Sequence, residues 1–116
     1  MNRTELQQVL VNLMVNAIHA MGKGGQMTLA TEDALRDHES GVALCIADTG
    51  TGMAPEVRAR VFDPFFTTRL GAGTGLGLSI SRQLITRYGG SIEVESTPGK
   101  GTMFRLWLPV ASALAA

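Results

Sequence analysis

Cysteine is nearly absent: Cys45 stands alone in 116 residues, which excludes an internal disulfide framework and any multi-cysteine metal site. It lies in the apolar run Val42-Ala43-Leu44-Cys45-Ile46-Ala47, where a buried structural thiol is expected rather than a reactive one. A surplus of charge is also missing. Ten Lys and Arg balance ten Asp and Glu, so no global field draws the chain toward nucleic acid or an anionic membrane, and any anion must be held locally. No apolar stretch approaches the ~20 residues of a membrane span, and Met1-Asn2-Arg3-Thr4 does not open a signal peptide. With 45% hydrophobic residues there is enough for a single core. The expectation is one cytoplasmic domain over residues 1–110, monomeric in isolation, with 111–116 as a frayed tail.

Apolar residues at Leu6, Val9, Leu10, Leu13, Met14, Ala17, Ile18 and Met21 follow helical spacing. Asn2 with Glu5, or Thr4 with Gln7, can cap its start, and Gly22 ends it. Strands are expected at 26–31 and 41–48, with the polar stretch 32–40 as the hairpin connection. From Thr49 to Gly77 the chain carries six glycines and two prolines, a long connection of the kind that usually serves function. Within it Pro55 opens a short amphipathic piece over 54–61. Leu78, Ile80, Ser81, Leu84, Ile85 and Tyr88 mark a second major helix, closed by Gly89-Gly90. Strands at 91–96 and 102–109 flank the turn Thr97-Pro98-Gly99-Lys100-Gly101. The order α-β-β-α-β-β predicts one sheet with helices on one face.

Four segments carry candidate chemistry. Asn12 and Asn16 stand one turn apart on the first helix, which is either an exposed polar pair or a pair of hard oxygen donors suited to Mg²⁺. His19 adds a possible cation. Asp48-Thr49-Gly50-Thr51-Gly52-Met53 ends a hydrophobic strand. There Asp48 is either a turn former or a carboxylate that accepts from an exocyclic amine, with glycines letting the backbone approach a flat ligand. Gly71-Ala72-Gly73-Thr74-Gly75-Leu76-Gly77-Leu78 opens into a helix, where free N–H groups favour phosphate. It follows a long loop instead of a first strand and lacks the Gly-Lys-Ser/Thr ending, so the dinucleotide-binding and P-loop folds are disfavoured. Phe62-Asp63-Pro64-Phe65-Phe66-Thr67-Thr68-Arg69 puts three rings in a loop. At least two should pack beneath it as an anchor for a lid, with Arg69 as a fixed charge near the glycines.

In this order, the four segments resemble the N, G1, F and G2 boxes of the histidine kinase catalytic domain, in the superfamily that includes gyrase-type and heat-shock chaperone ATPases. Gly99-Lys100-Gly101-Thr102-x-Phe104 is similar to its final glycine-rich box. The resemblance runs from Thr4 to Pro109 and implies a Bergerat-type α/β (α+β) two-layer sandwich, its mixed, mainly antiparallel sheet backed by three helices. It implies ATP and Mg²⁺ as cofactors, with Asn12, Asn16 and Arg69 as the catalytic set. By position, Asn16 ligates Mg²⁺, and Asn12 and His19 lie near the phosphates. Asp48 reads the adenine amino group with Thr102 in support, while Ala20, Gly50, Gly52 and Met53 line the base pocket. Gly71, Gly73, Thr74, Gly75, Leu76, Gly77 and Leu78 wrap the phosphates. Thr68 and Arg69 close with the lid, Arg69 toward the γ-phosphate.

The sequence departs from the family at three places. Hydrolytic relatives have glutamate where Asn12 stands, and an amide cannot act as that general base. His19 replaces a common lysine or arginine, and Ala20 a common aromatic. Neither His19 nor His38 has the context of a phosphoacceptor. The resemblance therefore implies transfer to a histidine on a separate dimerisation domain of the same kinase, then to a response regulator, within a parent that can be anchored at the inner membrane. The strand that ordinarily precedes the first helix is not in the sequence, so a shortened start is expected. An anti-sigma-type protein-serine kinase and a non-catalytic nucleotide-binding module are the alternatives.

Overall fold

The structure is a computed structural model that describes residues 1–66 and 77–110. Its first helix, α1 (Arg3–Met21), begins at Asn2, whose side chain accepts the Glu5 N–H at 2.8 Å while Glu5 accepts the Asn2 N–H at 3.3 Å. Of the two caps the sequence offered, this is the one formed, and it satisfies two otherwise orphaned donors. Val9, Leu13 and Ala17, at four-residue spacing, are the buried stripe.

Two strands follow, β1 (Met27–Arg36) and β2 (Glu39–Asp48), paired antiparallel from Met27 opposite Asp48 to Arg36 opposite Glu39. The expected nine-residue connection is therefore only Asp37-His38, both at positive φ (50° and 67°), as a tight two-residue hairpin turn requires. The polar stretch hid strand because β1 is a sheet edge, largely exposed along its length. Its backbone is held by the ladder, and its charges find partners across the sheet, Glu32 with Arg105 at 3.4 Å and Arg36 with Glu93 at 2.8 Å.

A single helical turn, α2 (Pro55–Arg58), is shorter than the expected 54–61 piece. Beyond it the chain tightens, with the Arg60 and Val61 N–H groups reaching back three residues to Val57 and Arg58. The second major helix, α3 (Gly77–Arg87), buries Ser79, Ser81, Leu84 and Ile85, and it ends at Gly89 with φ 81°. Strands β3 (Ser91–Thr97) and β4 (Gly101–Pro109) complete a four-stranded sheet of order β1-β2-β4-β3. All three pairings are antiparallel, so the mixed character the resemblance implied is not seen among the described residues.

The helices cover one face, as expected, and the core lies between them and the sheet. Val9, Leu13, Ile46, Ile85, Phe104 and Leu106 are its most buried apolar side chains. On the opposite face Trp107 lies over Gly41, where any side chain would collide with the ring. Its indole N–H donates to the Ala34 carbonyl at 3.0 Å, and Arg36 stacks over it. Cys45 sits on this outer face and is half-exposed, not buried: alternation along β2 turns Ile46 into the core and its neighbour outward. No helix among the described residues is long and apolar enough to cross a membrane.

Candidate functional site

The pairing registers align one residue from each strand in a row across the sheet end: Met27, Asp48, Thr102 and Ser96. Even-numbered positions of β2 and β4 face the helices, so the row continues the core layer but replaces its hydrocarbon with oxygen. Asp48 and Thr102 are buried, at 7% and 6% exposure. A buried carboxylate needs donors. Asp48 Oδ1 takes the Gly50 N–H at 2.9 Å, and among the described residues no donor meets Oδ2. Thr102 Oγ1 lies 2.8 Å from Ser96 Oγ.

The loop after β2 is held against both layers. The Thr51 N–H donates to the Ala20 carbonyl at 3.1 Å, which joins the loop to the end of α1. A Cβ at Gly50 would come within 2.6 Å of that same carbonyl, and one at Gly52, whose φ is +70°, would strike the Thr97 carbonyl. These glycines let the loop approach its own neighbours closely, which builds the pocket rim whether or not a ligand lies against it. The Met53 N–H donates to Ser96 Oγ at 2.8 Å, tying the far end of the loop to β3.

On α1, Asn12 Nδ2 donates to the Gly77 carbonyl at 3.1 Å and to Ser81 Oγ at 3.2 Å, and Ser81 Oγ donates to the same carbonyl at 2.8 Å. A carbonyl can only accept, so the amide group facing it must be the NH₂. Both N–H groups of Asn12 are thereby used on α3, and its Oδ1 is what remains for anything outside. The side chain of Asn16, half-buried one turn on, has no hydrogen-bond partner among the described residues. His19 is exposed on the same side of the helix.

Thus α1 presents amide oxygens near the first turn of α3, and the β2–β4 end presents a carboxylate and a hydroxyl, with the Gly50–Met53 loop between. Gly77 and Leu78 stand at the start of α3. Thr68, Arg69, Gly71, Gly73, Thr74, Gly75 and Leu76 lie outside the described residues. Of the three phenylalanines, Phe62 packs edge-on against Phe104 at 6.1 Å and Phe66 lies under Arg60. Phe65 is 73% exposed at φ 65°. Two rings are therefore anchored and one is bare. Sequence reading missed Ser81 and Ser96 as site residues. Their partners lie 69 and up to 43 residues away, and serine in a helix or edge strand carries no local signal of such a contact.

An acid–hydroxyl contact fastens the opposite end of the helix pair. Tyr88 donates to Glu5 Oε1 at 2.6 Å and Arg87 lies 3.7 Å from Glu5. The Tyr88 hydroxyl, chiefly, with the Asn2 N–H and the Arg87 charge, holds the Glu5 carboxyl below the usual carboxylate range. The same bond pushes the Tyr88 phenol up.

Residues 1–112 match the family described as histidine kinase-, DNA gyrase B-, and HSP90-like ATPase. The chain is 44% identical over 105 residues to the sensor histidine kinase ZraS of Salmonella typhi, covering 90% of this chain and 22% of that protein. It is 45% identical over 112 residues to the C4-dicarboxylate transport sensor protein DctB of Rhizobium meliloti, covering 95% and 17%. The chain thus spans about a fifth of the length of these relatives. Among solved structures, the catalytic domain of histidine kinase ThkA superposes with a TM-score of 0.77 at 38% identity, over 92% of this chain and 67% of that one. Full-length ShkA in complex with AMPPNP superposes with a TM-score of 0.75 at 35% identity, over 90% and 21%.

Proposed function

The chain belongs to the histidine kinase-, DNA gyrase B- and HSP90-like ATPase family, and on that footing we propose that it is the ATP-binding catalytic domain of a sensor histidine kinase. In this reading residues 1–110 bind Mg·ATP and transfer its γ-phosphoryl group to a histidine on a separate dimerisation domain of the same kinase, from which a response regulator receives it. The observation that carries the reading is the buried Asp48 carboxylate beside Thr102 at the end of β2 and β4, with the loop that follows it tied to the end of α1 through the Thr51 N–H and the Ala20 carbonyl.

The division of labour follows from donor chemistry. Asp48 Oδ2 and Thr102 Oγ1 accept from the adenine amino group, and Ala20, Gly50, Gly52 and Met53 enclose the base. The triphosphate then runs toward the amino end of α3, where exposed N–H groups favour anions. Gly71 through Leu78 wrap it, and Thr68 and Arg69 close over it. Asn16 fits Mg²⁺: among the described residues its amide, whose oxygen is a hard donor, meets no other partner, and no acidic, His or Cys cluster competes for the role. Bound there, the ion supplies charge neutralisation on the phosphate oxygens. His19 lends a proton-dependent charge beside them.

The chemical step is in-line attack by a ring nitrogen of the acceptor histidine on the γ-phosphorus, with ADP leaving. The residues orient and neutralise; none bonds to phosphorus. Asn12 cannot take a proton from water, and its N–H groups are already committed to α3, which favours transfer over hydrolysis. The exposed ring of Phe65 offers a contact for the acceptor domain. The balanced net charge gives no reason to invoke nucleic acid or membrane contact by this domain, which is expected to be monomeric and to work in the cytoplasm within a longer, membrane-anchored parent.

The test mixes this domain with γ-labelled Mg·ATP and a dimeric helical hairpin bearing the phosphoacceptor histidine. Acid-labile, base-stable label on the hairpin is the expected result. Acid-stable label on a serine would assign the domain to the anti-sigma-type kinases, and nucleotide binding without any transfer to a non-catalytic module.

A further inference from the structure

We propose that Ser96 is a positioning residue that fixes the polarity of the Thr102 hydroxyl, and so makes the base pocket select a 6-amino over a 6-oxo purine. The inference rests on the reading of Asp48 and Thr102 as the floor of that pocket. Ser96 Oγ meets three groups: the Met53 N–H at 2.8 Å, the Gly101 carbonyl at 3.0 Å and Thr102 Oγ1 at 2.8 Å. A hydroxyl has one proton and two lone pairs. The Met53 N–H can only donate, which takes one lone pair. The Gly101 carbonyl can only accept, which takes the proton. Only a lone pair is left for Thr102, so Thr102 must be the donor in that contact.

The alternative sends the Ser96 proton to Thr102 and leaves two acceptors 3.0 Å apart at Gly101 with no hydrogen between them. Only the first arrangement satisfies all three contacts. Its consequence is felt on the pocket side. The Thr102 proton points into the sheet toward Ser96, and Thr102 Oγ1 offers lone pairs alone, beside an Asp48 carboxylate that can also only accept. Asp48 and Thr102 are direct partners across β2 and β4, so the two acceptors are adjacent. An exocyclic –NH₂ has two hydrogens to give to such a surface. A 6-oxo group has none and sets an oxygen against oxygens. Ser96 never touches the base; it acts through Thr102.

The experiment compares ATP with inosine triphosphate, which carries an oxo group at position 6 and a hydrogen on N1 in place of the amino group and a bare N1, by calorimetry with Mg²⁺ present. Wild type should prefer ATP. Ser96→Ala frees the Thr102 hydroxyl to turn toward the base and donate to the oxo group, and should narrow the ATP-to-ITP affinity ratio by about fivefold, the worth of one net hydrogen bond. Ser96→Thr retains the hydroxyl and should keep the wild-type ratio. In a Thr102→Val background, Ser96→Ala should leave the ratio unmoved, because the group it acts through is gone. A brace without a polarity role would weaken both nucleotides alike in Ser96→Ala; that result, with the wild-type preference intact, overturns the relay alone. A wild-type protein that binds the two nucleotides equally overturns the pocket reading and the relay together.

Discussion

Replacing Asn12 by aspartate exchanges an NH₂ for an oxygen at the point where α1 grips α3. In the native protein that NH₂ lies 3.1 Å from the Gly77 carbonyl and 3.2 Å from Ser81 Oγ, whose own proton is spent on the same carbonyl. An ionised aspartate can satisfy neither contact. Two hydrogen bonds at about 0.5–1.5 kcal/mol each put the loss at about 1–3 kcal/mol before any repulsion between acceptors. At about 4 °C per kcal/mol for a domain of this size, Tm should fall by about 4–12 °C at pH 7. Protonation restores a donor. The carboxyl pKa at position 12 is thus raised in the folded state, and the bond it makes is present below the unfolded value of about 3.9 and lost as pH rises through the folded value. The Tm deficit of Asn12→Asp relative to wild type should therefore shrink as pH is lowered toward 4, read by circular dichroism without nucleotide. A variant as stable as wild type at pH 7, or a deficit indifferent to acid, would refute the amide assignment at Asn12.

Tyr88→Phe removes the hydroxyl that holds the Glu5 carboxyl low. The Glu5 contribution is present above its ordinary 4.5 and lost as pH falls through the depressed folded value. The Tyr88 contribution is present below its ordinary 10.0 and lost as pH rises through the raised one. The Tm deficit of the variant should accordingly be widest between these limits and close at both ends. Gly101→Ala meets the Asp48 carbonyl at a φ of +97°, and conformational strain with overpacking should cost about 2–5 kcal/mol. Gly99→Ala, at φ +79° with nothing within 4 Å, should cost only the backbone strain of about 1–2 kcal/mol. Urea titration of the pair checks the ordering, and equal losses would contradict it.

What the sequence made legible was whatever is written locally. The spacing of Val9, Leu13 and Ala17 names the buried face of α1, Asn2 with Glu5 names its start, and Gly89 names the end of α3. Asp48 could be singled out because an apolar strand ends on it. The length of β1 was hidden because an edge strand wetted on both faces has no reason to alternate. A continuous apolar run such as the one around Cys45 does not reveal which face is covered, and among the described residues no helix packs on the outer face, where the Trp107 cluster lies. The serines were silent for another reason. Ser81 and Ser96 gain their meaning from Asn12 and from Met53, Gly101 and Thr102, contacts that exist only once α1 packs on α3 and the strands are in register. Gly50 and Gly52 stand out in the sequence as places where backbone can approach closely, and in the structure protein backbone alone already forbids a side chain there.

The central claim is that a buried carboxylate and a magnesium-holding amide share one nucleotide between them. Calorimetric titration of ATP into wild type, Asp48→Asn and Asn16→Ala, each with and without Mg²⁺, addresses it directly. Wild type should bind ATP in a magnesium-dependent manner. Asp48→Asn should weaken binding by about 10- to 150-fold, the loss of a hydrogen bond to a charged acceptor at about 1.5–3 kcal/mol, and Asn16→Ala should remove most of the magnesium dependence. ATP binding that ignores magnesium in wild type, or that survives Asp48→Asn unchanged, would contradict the account.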